Sequence, residues 1–161
     1  MGLAKILATL DSRADVVAAE DLIEILKAQV SPEELVPWIQ FGDTQYARNR
    51  IRRTDQYEVL CLCWKPGQKS PTHDHLNSSA AIRVISGNAS ETAFEAHGDQ
   101  FEIIGKRSFR PGDVHAEGPE LIHQFGNSAE SSENLVTLHI YSPPLSSVDV
   151  GSVYAGGRAV E

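Results

Sequence analysis

The chain has 161 residues, with 14 lysines and arginines against 22 aspartates and glutamates, which gives a formal net charge of −8. This acidic balance argues against nucleic acid and anionic membranes as partners, because both require basic patches. A hydrophobic fraction of 41% excludes wholesale disorder. A chain of this length predicts one domain over residues 1–161.

Residues 1–41 are predicted to be a helical segment. Their apolar residues follow the three-or-four spacing of a helix face, namely Leu3, Ile6, Leu7, Leu10, Leu22, Ile25 and Leu26. Ser31, Pro32 and Glu34 combine a capping box with proline at the first helical position, so a short helix should begin there. Pro37 should keep that helix short or kinked. The segment shows no signal-peptide pattern, and no stretch approaches the roughly 18 apolar residues of a membrane span.

Residues 45–145 are predicted to be rich in β-strands. Short runs of β-branched and aromatic residues alternate with turn signals such as Pro66-Gly67, Gly87-Asn88 and Pro111-Gly112-Asp113. Strands at this spacing, without helical periodicity between them, predict a sandwich or a barrel. Residues 146–161 are rich in serine and glycine and are expected to form a loosely ordered tail.

The two cysteines, Cys61 and Cys63, lie two residues apart in an apolar run. On a strand they point to the same face at a spacing too long for an easy disulfide. We interpret them as buried, reduced residues, since free cysteine packs as a small hydrophobe. This interpretation predicts a soluble, cytoplasmic protein.

Two of the six histidines, His73 and His75, flank Asp74 where the chain is predicted to be a strand. The period of a strand places both imidazoles on one face and Asp74 on the other. The pair is either half of a metal site, completed from a later strand, or two surface or packing histidines. His97 is expected to be a surface residue, and His115 to be structural or on the surface.

The spacing around these histidines matches a known pattern. The residues that match the first cupin motif and the end of the second are Gly67, His73, His75, Gly87, His123 and Asn127. The chain therefore resembles the cupins. The resemblance implies a mainly β fold, a jelly-roll-like cupin barrel, in which His73, His75 and His123 bind a metal ion.

Ala80 occupies the position at which most cupins have a glutamate ligand. A methyl group cannot coordinate, so the ion would have three neutral nitrogen ligands, keep its full charge and retain open positions. Such a site favours anionic, chelating substrates and leaves room for O₂. Three histidines suit Zn, Ni and Co as well as iron.

Longer matches are similar to one cupin family, cysteine dioxygenase. They are Gln45-Tyr46-Ala47-Arg48-Asn49, Cys63-Trp64-Lys65-Pro66-Gly67, His73-Asp74-His75, Gly87-Asn88 with Glu91-Thr92, and Thr137-Leu138-His139-Ile140-Tyr141-Ser142-Pro143-Pro144. The resemblance implies Fe(II) on the three histidines and Arg48 paired with the substrate carboxylate. It also implies that Tyr46 and Tyr141 line the pocket and that His139 orients Tyr141. The implied reaction oxidises L-cysteine with O₂ to cysteine sulfinic acid.

The residue types agree with these roles. Thr137, His139 and Tyr141 share one face of a predicted strand, so hydroxyl, imidazole and phenol can form a chain of hydrogen bonds. A buried Arg48 requires an anionic partner. The alternatives are a structural carboxylate as the partner of Arg48, and a core role for His139.

One departure from the family concerns Ala80. Mammalian-type members have a cysteine there that cross-links to the tyrosine at the position of Tyr141, so this cross-link cannot form here. Bacterial-type members often have a small residue at that position. Relatives that prefer 3-mercaptopropionate tend to have glutamine in place of Arg48, so Arg48 favours cysteine. Oxidation of another small thiol acid and a non-catalytic metal-binding cupin remain the alternatives, and a monomer is compatible with the sequence.

Overall fold

The computed structural model describes residues 1–145 and the backbone of residues 158–160. Its helical elements are α1 (Gly2–Asp11), α2 (Ala19–Leu26) and a 3₁₀ helix (Pro32–Trp38). Its strands are β1 (Ala47–Arg53), β2 (Glu58–Trp64), β3 (Ser79–Ser86), β4 (Ala89–His97), β5 (Gln100–Phe109), β6 (Val114–Glu117), β7 (Ile122–Gly126), β8 (Leu135–Ser142) and β9 (Arg158–Val160). The predicted mainly β class with a short helical start is confirmed. No helix among the described residues is long and apolar enough to span a membrane.

The third helical element begins where the capping box predicts. The Ser31 amide donates to Glu34 Oε2 at 3.0 Å, and the other oxygen of that carboxylate accepts from the Leu3 amide at 3.1 Å. Glu34 thereby ties the start of α1 to this segment. Pro37 lies inside it, and because proline lacks an amide proton and crowds the preceding turn, the element stays short.

The strands form two sheets. The first has the order β1-β2-β8-β3-β6 and the second the order β7-β4-β5-β9. All described strand pairs are antiparallel except β5 with β9, which is parallel. Of the predicted tail, residues 146–157 and 161 lie outside the described residues, whereas the backbone of 158–160 forms β9.

Two apolar clusters lie on opposite faces of the first sheet, because alternate residues of a strand point to opposite faces. The helix-side cluster joins the helices to the outer face; its members include Leu10, Leu22, Leu26, Val59, Cys61, Cys63, Val136, Leu138 and Ile140. The barrel-interior cluster joins the two sheets; its members include Leu60, Leu62, Trp64, Ile82, Phe109, Phe125 and Tyr141. Both cysteines are free and buried, as predicted.

The segment after β2 is held against β7 by a close backbone approach. A Cβ atom on Gly126 would meet Gln68 O at 2.4 Å, so glycine is required where Lys69 forms its β-bridge with Gly126. Further along, the amides of His73 and His123 each donate to the other residue's carbonyl at 2.9 Å. The backbone therefore places His73 beside His123.

The strand predicted for His73–His75 does not form. His73 makes a single bridge, and the chain then turns at Leu76, whose φ is 54°. Asp74 Oδ1 accepts from the Leu76 amide at 3.0 Å, a local turn that competes with strand pairing. The next strand begins only at Ser79.

Candidate active site

The three histidines expected to bind metal converge inside the barrel. His123 Nε2 lies 3.2 Å from His73 Nε2 and 3.2 Å from His75 Nε2, and all three residues are buried. Two nitrogens that are each about 2.1 Å from one ion and this far apart subtend an angle of roughly 100°, between octahedral and tetrahedral values. The residues present therefore fit a divalent metal ion held by three imidazoles.

The partners of the Nδ1 atoms orient two of these rings. His73 Nδ1 lies 2.7 Å from the carbonyl of Pro71, so it carries the proton and leaves the Nε2 lone pair free. His123 Nδ1 lies 3.0 Å from Glu91 Oε2. His75 Nδ1 has no hydrogen-bond partner within the described part of the chain. The three rings are thus held by three different environments.

The protonation of the histidines differs in the same way. Burial, aided by the neighbouring His123, lowers the pKa of His73 and of His75 to about 3, so both are neutral near pH 7. Burial lowers the pKa of His123 too, but Glu117 and Glu91 outweigh it and raise that pKa to about 9. A metal ion at the three Nε2 atoms would therefore replace a proton on His123.

No carboxylate joins the three histidines as a ligand among the described residues. Ala80 is fully buried and lies opposite Tyr141 on β8 and opposite Glu117 on β6. The group of side chains close enough to share one metal ion consists of His73, His75 and His123 and does not include Asp74, as predicted.

A chain of hydrogen bonds leads from Trp64 to Tyr141. The Trp64 indole N–H donates to Thr137 Oγ1 at 3.0 Å, Thr137 Oγ1 lies 2.8 Å from His139 Nε2, and His139 Nδ1 lies 3.2 Å from the Tyr141 hydroxyl. The indole can only donate, and the Thr137 hydroxyl, which keeps its own proton, can donate it to His139 Nε2. His139 then carries its proton on Nδ1 and donates to the Tyr141 oxygen.

The ionisation of this chain follows from its burial. Burial lowers the pKa of His139 well below its usual range, so the imidazole is neutral. Burial raises the pKa of Tyr141, so the phenol is protonated at neutral pH. Since the Tyr141 oxygen already accepts from His139, its own proton is available to the pocket.

The walls of the pocket include Tyr46, Arg48, Trp64, His73, His123 and Tyr141. The Tyr46 ring stacks on Trp64, with centroids 4.1 Å apart and planes inclined by 14°. Arg48 lies two residues further along on the same face, half-buried.

The charge of Arg48 is not neutralised by a nearby carboxylate. Within residues 1–145, no ion pair joins its guanidinium to a carboxylate at 4.0 Å or less, and Glu58, whose charge acts on it, is held by Arg50 at 3.0 Å and Arg53 at 3.1 Å. The alternative of a structural ion pair for Arg48 therefore finds no partner in this part of the chain. The structure leaves a cation facing the pocket.

Four residues near the site were not assigned to it from the sequence: Glu91, Arg107, His115 and Glu117. His115 is buried, 3.2 Å from Glu117 Oε1, so of the two alternatives for this residue the surface position is wrong. The sequence signal that could have found them is the spacing of two between His115 and Glu117, which places both side chains on the same face of a strand. His97 is exposed, as expected, and pairs with Glu102 at 3.2 Å.

Solved structures with the same architecture identify the fold. A protein from Klebsiella pneumoniae with a double-stranded β-helix domain has a TM-score of 0.57 and 19% identity, and the match covers 71% of this chain and 90% of that chain. A cupin superfamily protein from Desulfitobacterium hafniense has a TM-score of 0.53 and 17% identity, with 71% and 92% covered. The fold is that of the cupins, as predicted.

Sequence comparison identifies the family. The model of the family described as cysteine dioxygenase type I matches residues 2–152. Rat cysteine dioxygenase type 1 is 30% identical over 136 residues, and the human enzyme is 29% identical; each match covers 81% of this chain and 68% of the relative. The chain belongs to the cysteine dioxygenase type I family, and its three-histidine group fits a thiol dioxygenase.

Proposed function

We propose that the protein is an iron(II)-dependent dioxygenase that oxidises L-cysteine with O₂ to cysteine sulfinic acid. The observation that carries this proposal is Arg48, whose guanidinium faces the same pocket as His73 and His123 and is paired with no carboxylate within residues 1–145. A cation beside three neutral metal ligands suits a small molecule with a carboxylate at one end and a thiol at the other.

Arg48 and Tyr46 hold and orient the substrate. The guanidinium can bind a carboxylate through two parallel hydrogen bonds, which fixes direction as well as position. Tyr46, stacked on Trp64, closes the wall beside it. A short amino acid held in this way directs its thiol toward the histidines.

His73, His75 and His123 would hold the iron, which supplies the binding and activation of O₂ when it is bound. Both atoms of O₂ enter the sulfinate. The electrons that reduce O₂ all come from the thiol sulfur, so the reaction requires no further reductant.

Tyr141 donates a hydrogen bond to the reacting oxygen atoms. Its hydroxyl proton is free because His139 supplies the other hydrogen bond to its oxygen, and the raised pKa keeps that proton in place at neutral pH. Thr137 and His139 act on the substrate only through Tyr141, by fixing where its hydroxyl points.

The test of substrate choice replaces Arg48 by alanine and measures O₂ uptake in protein of known iron content. A charge-assisted bidentate pair contributes roughly 1.5–3 kcal/mol, so Arg48→Ala should raise KM for L-cysteine about 10–150-fold. Cysteamine has no carboxylate, so its poor turnover should be unaffected. Equal losses for both thiols would show that Arg48 supports the fold and not the substrate.

The same assay separates the alternatives. Faster turnover of 3-mercaptopropionate than of L-cysteine in the unaltered protein would identify another small thiol acid as the substrate. Bound metal without O₂ uptake for any thiol would indicate a non-catalytic metal-binding cupin. The free thiols of Cys61 and Cys63 favour a reducing compartment, and we propose that the protein acts in the cytoplasm.

A further inference from the structure

A second polar cluster lies behind the Nδ1 edge of His123. Its members are Glu91, Arg107, His115 and Glu117. Glu91 and Glu117 are 2% and 3% exposed, and each directs one carboxylate oxygen at His123 Nδ1, at 3.0 Å and 3.2 Å. We call these two residues the His123 carboxylate pair.

The two carboxylates arrive from different sheets. Glu117 on β6 is the cross-strand neighbour of Ala80 on β3, the position at which the resemblance to cupins places a ligand glutamate. Glu91 on β4 lies opposite Arg107 on β5, in the second sheet. A carboxylate is therefore present on the strand next to Ala80, but it faces Nδ1 of His123, on the side of the ring away from the expected metal ion.

The oxygen of each carboxylate that does not face His123 is held by a cationic or polar partner. Arg107 donates to Glu91 Oε1 through Nε at 3.0 Å and through Nη2 at 2.5 Å. His115 Nε2 lies 3.2 Å from Glu117 Oε1, and the His115 ring stacks on Phe109 with centroids 4.0 Å apart. Both carboxylates are thereby aimed at His123.

One N–H cannot satisfy two carboxylates. The His123 Nδ1–H forms its hydrogen bond with Glu91 Oε2, and Glu117 Oε2 is left without a hydrogen bond of its own within the described part of the chain. Glu117 therefore acts on His123 mainly by its charge, and Glu91 by its charge and its hydrogen bond.

We propose that Glu91 and Glu117 are positioning residues for His123: they fix the direction of its Nε2 lone pair and supply, through the imidazole, the negative charge that Ala80 cannot give the metal directly. The inference rests on the proposed function, because it requires a metal ion at the three histidines. A carboxylate that accepts from the remote nitrogen of a ligating histidine orients the ring and makes it a more basic ligand. Glu91, His115 and Glu117 also lie close enough together to be candidate cation ligands. A second metal ion there is disfavoured, because Arg107, His115 and the His123 N–H already contact three of the four carboxylate oxygens.

The experiment measures the dissociation constant of Co(II), an air-stable substitute for Fe(II), by competition with a chelator. Glu91→Gln keeps the shape and an acceptor oxygen but removes the charge, and it should weaken Co(II) binding about 10–100-fold. Glu117→Gln, which removes the charge and turns one carboxylate oxygen into an amide donor, should weaken it about 10-fold. Both should shift the visible absorption of bound Co(II), a signature that a merely structural role would leave unchanged.

Glu58→Gln is the matched control. Glu58 is 3% exposed and also holds arginines, yet it belongs to neither the histidine group nor the cluster behind it. Its replacement should leave the dissociation constant of Co(II) within twofold. Because Glu91 and Glu117 lie on different sheets, failure of one variant to fold leaves the other as the test.

The outcomes separate the two proposals. An unaltered protein that binds no metal overturns the proposed function and this inference with it. One equivalent bound equally well by the unaltered protein and by both variants overturns the inference alone. Two equivalents, of which one is lost in Glu91→Gln, would show that the carboxylate pair is itself a cation site and would also overturn it.

Discussion

The two faces of β8 perform different tasks with the same backbone. Val136, Leu138 and Ile140 pack against the helices, whereas Thr137, His139 and Tyr141 point into the barrel and form a chain of hydrogen bonds. On β2, the cysteines belong to the helix-side cluster, and Leu60, Leu62 and Trp64 to the interior. One face is apolar and needs only to be covered, while the other buries polar groups that must each find a partner.

Burial alone does not identify a structural residue in this protein. Every residue of β8 is buried. The residues of the outer face contribute to stability through apolar area. The polar residues of the inner face orient one another, because each hydrogen bond in the chain sets which atom of the next side chain carries or receives the proton. Mutations on the two faces should therefore have separable effects.

The largest effect is expected inside the barrel, at the three histidines. Replacing His73, His75 or His123 by alanine should abolish iron binding and activity, because removal of one of three ligands leaves a site too weak to hold Fe(II). Elemental analysis of purified protein measures this directly. His97→Ala, at an exposed position, should keep its iron.

The matching test on the outer face of β8 is Leu138→Ala. Removing a fully buried leucine should lower the free energy of unfolding by about 2–5 kcal/mol, measured with denaturant. The folded fraction should still bind one metal ion per chain. Loss of metal binding in folded Leu138→Ala, or normal iron in any of the three histidine variants, would contradict the separation of the two faces.

A smaller effect is expected at Tyr141. Tyr141→Phe removes the hydroxyl and leaves the three imidazoles, so kcat should fall by about 10-fold or more while the iron content stays the same. A fall in iron content that matches the fall in rate would mean that Tyr141 supports the metal site and not the reaction. Oxygen uptake and elemental analysis on the same sample distinguish the two.

The smallest expected effect is no change at all in the mass of the chain. Ala80 lies opposite Tyr141 and has no sulfur, and both cysteines lie in the helix-side cluster, on the other face of the sheet. Tyr141 should therefore remain an unmodified phenol after many turnovers. Intact mass spectrometry should match the sequence, and a tyrosine–cysteine peptide after digestion would show that a cysteine can reach the interior.

Much of the inner face could be predicted because it depends on a local rule. The period of two along β8 is enough to separate Thr137, His139 and Tyr141 from their apolar neighbours. Buried cysteines on the opposite face of β2 follow from the same rule. The fold class was likewise predictable, since turn signals recur at short intervals from about residue 45.

The remaining features depend on contacts between distant segments. The strand predicted at His73–His75 was wrong because Asp74 caps a turn at Leu76, and only the backbone pairing of His73 with His123 replaces the missing strand. The cluster behind His123 draws Glu91 and Glu117 from different sheets. Sequence spacing shows that His115 and Glu117 share a face, but not what that face meets.

The two tryptophans of the chain are divided between the same two regions. Trp38 packs against the helix-side cluster, and Trp64 lines the pocket under the Tyr46 ring. Their fluorescence therefore reports on separate events. In a Trp38→Phe protein the emission would come from Trp64 alone and would respond when a thiol enters the pocket. In a Trp64→Phe protein, Trp38 would report when the helices leave the sheet, so one optical signal could follow either the filling of the site or the opening of the fold.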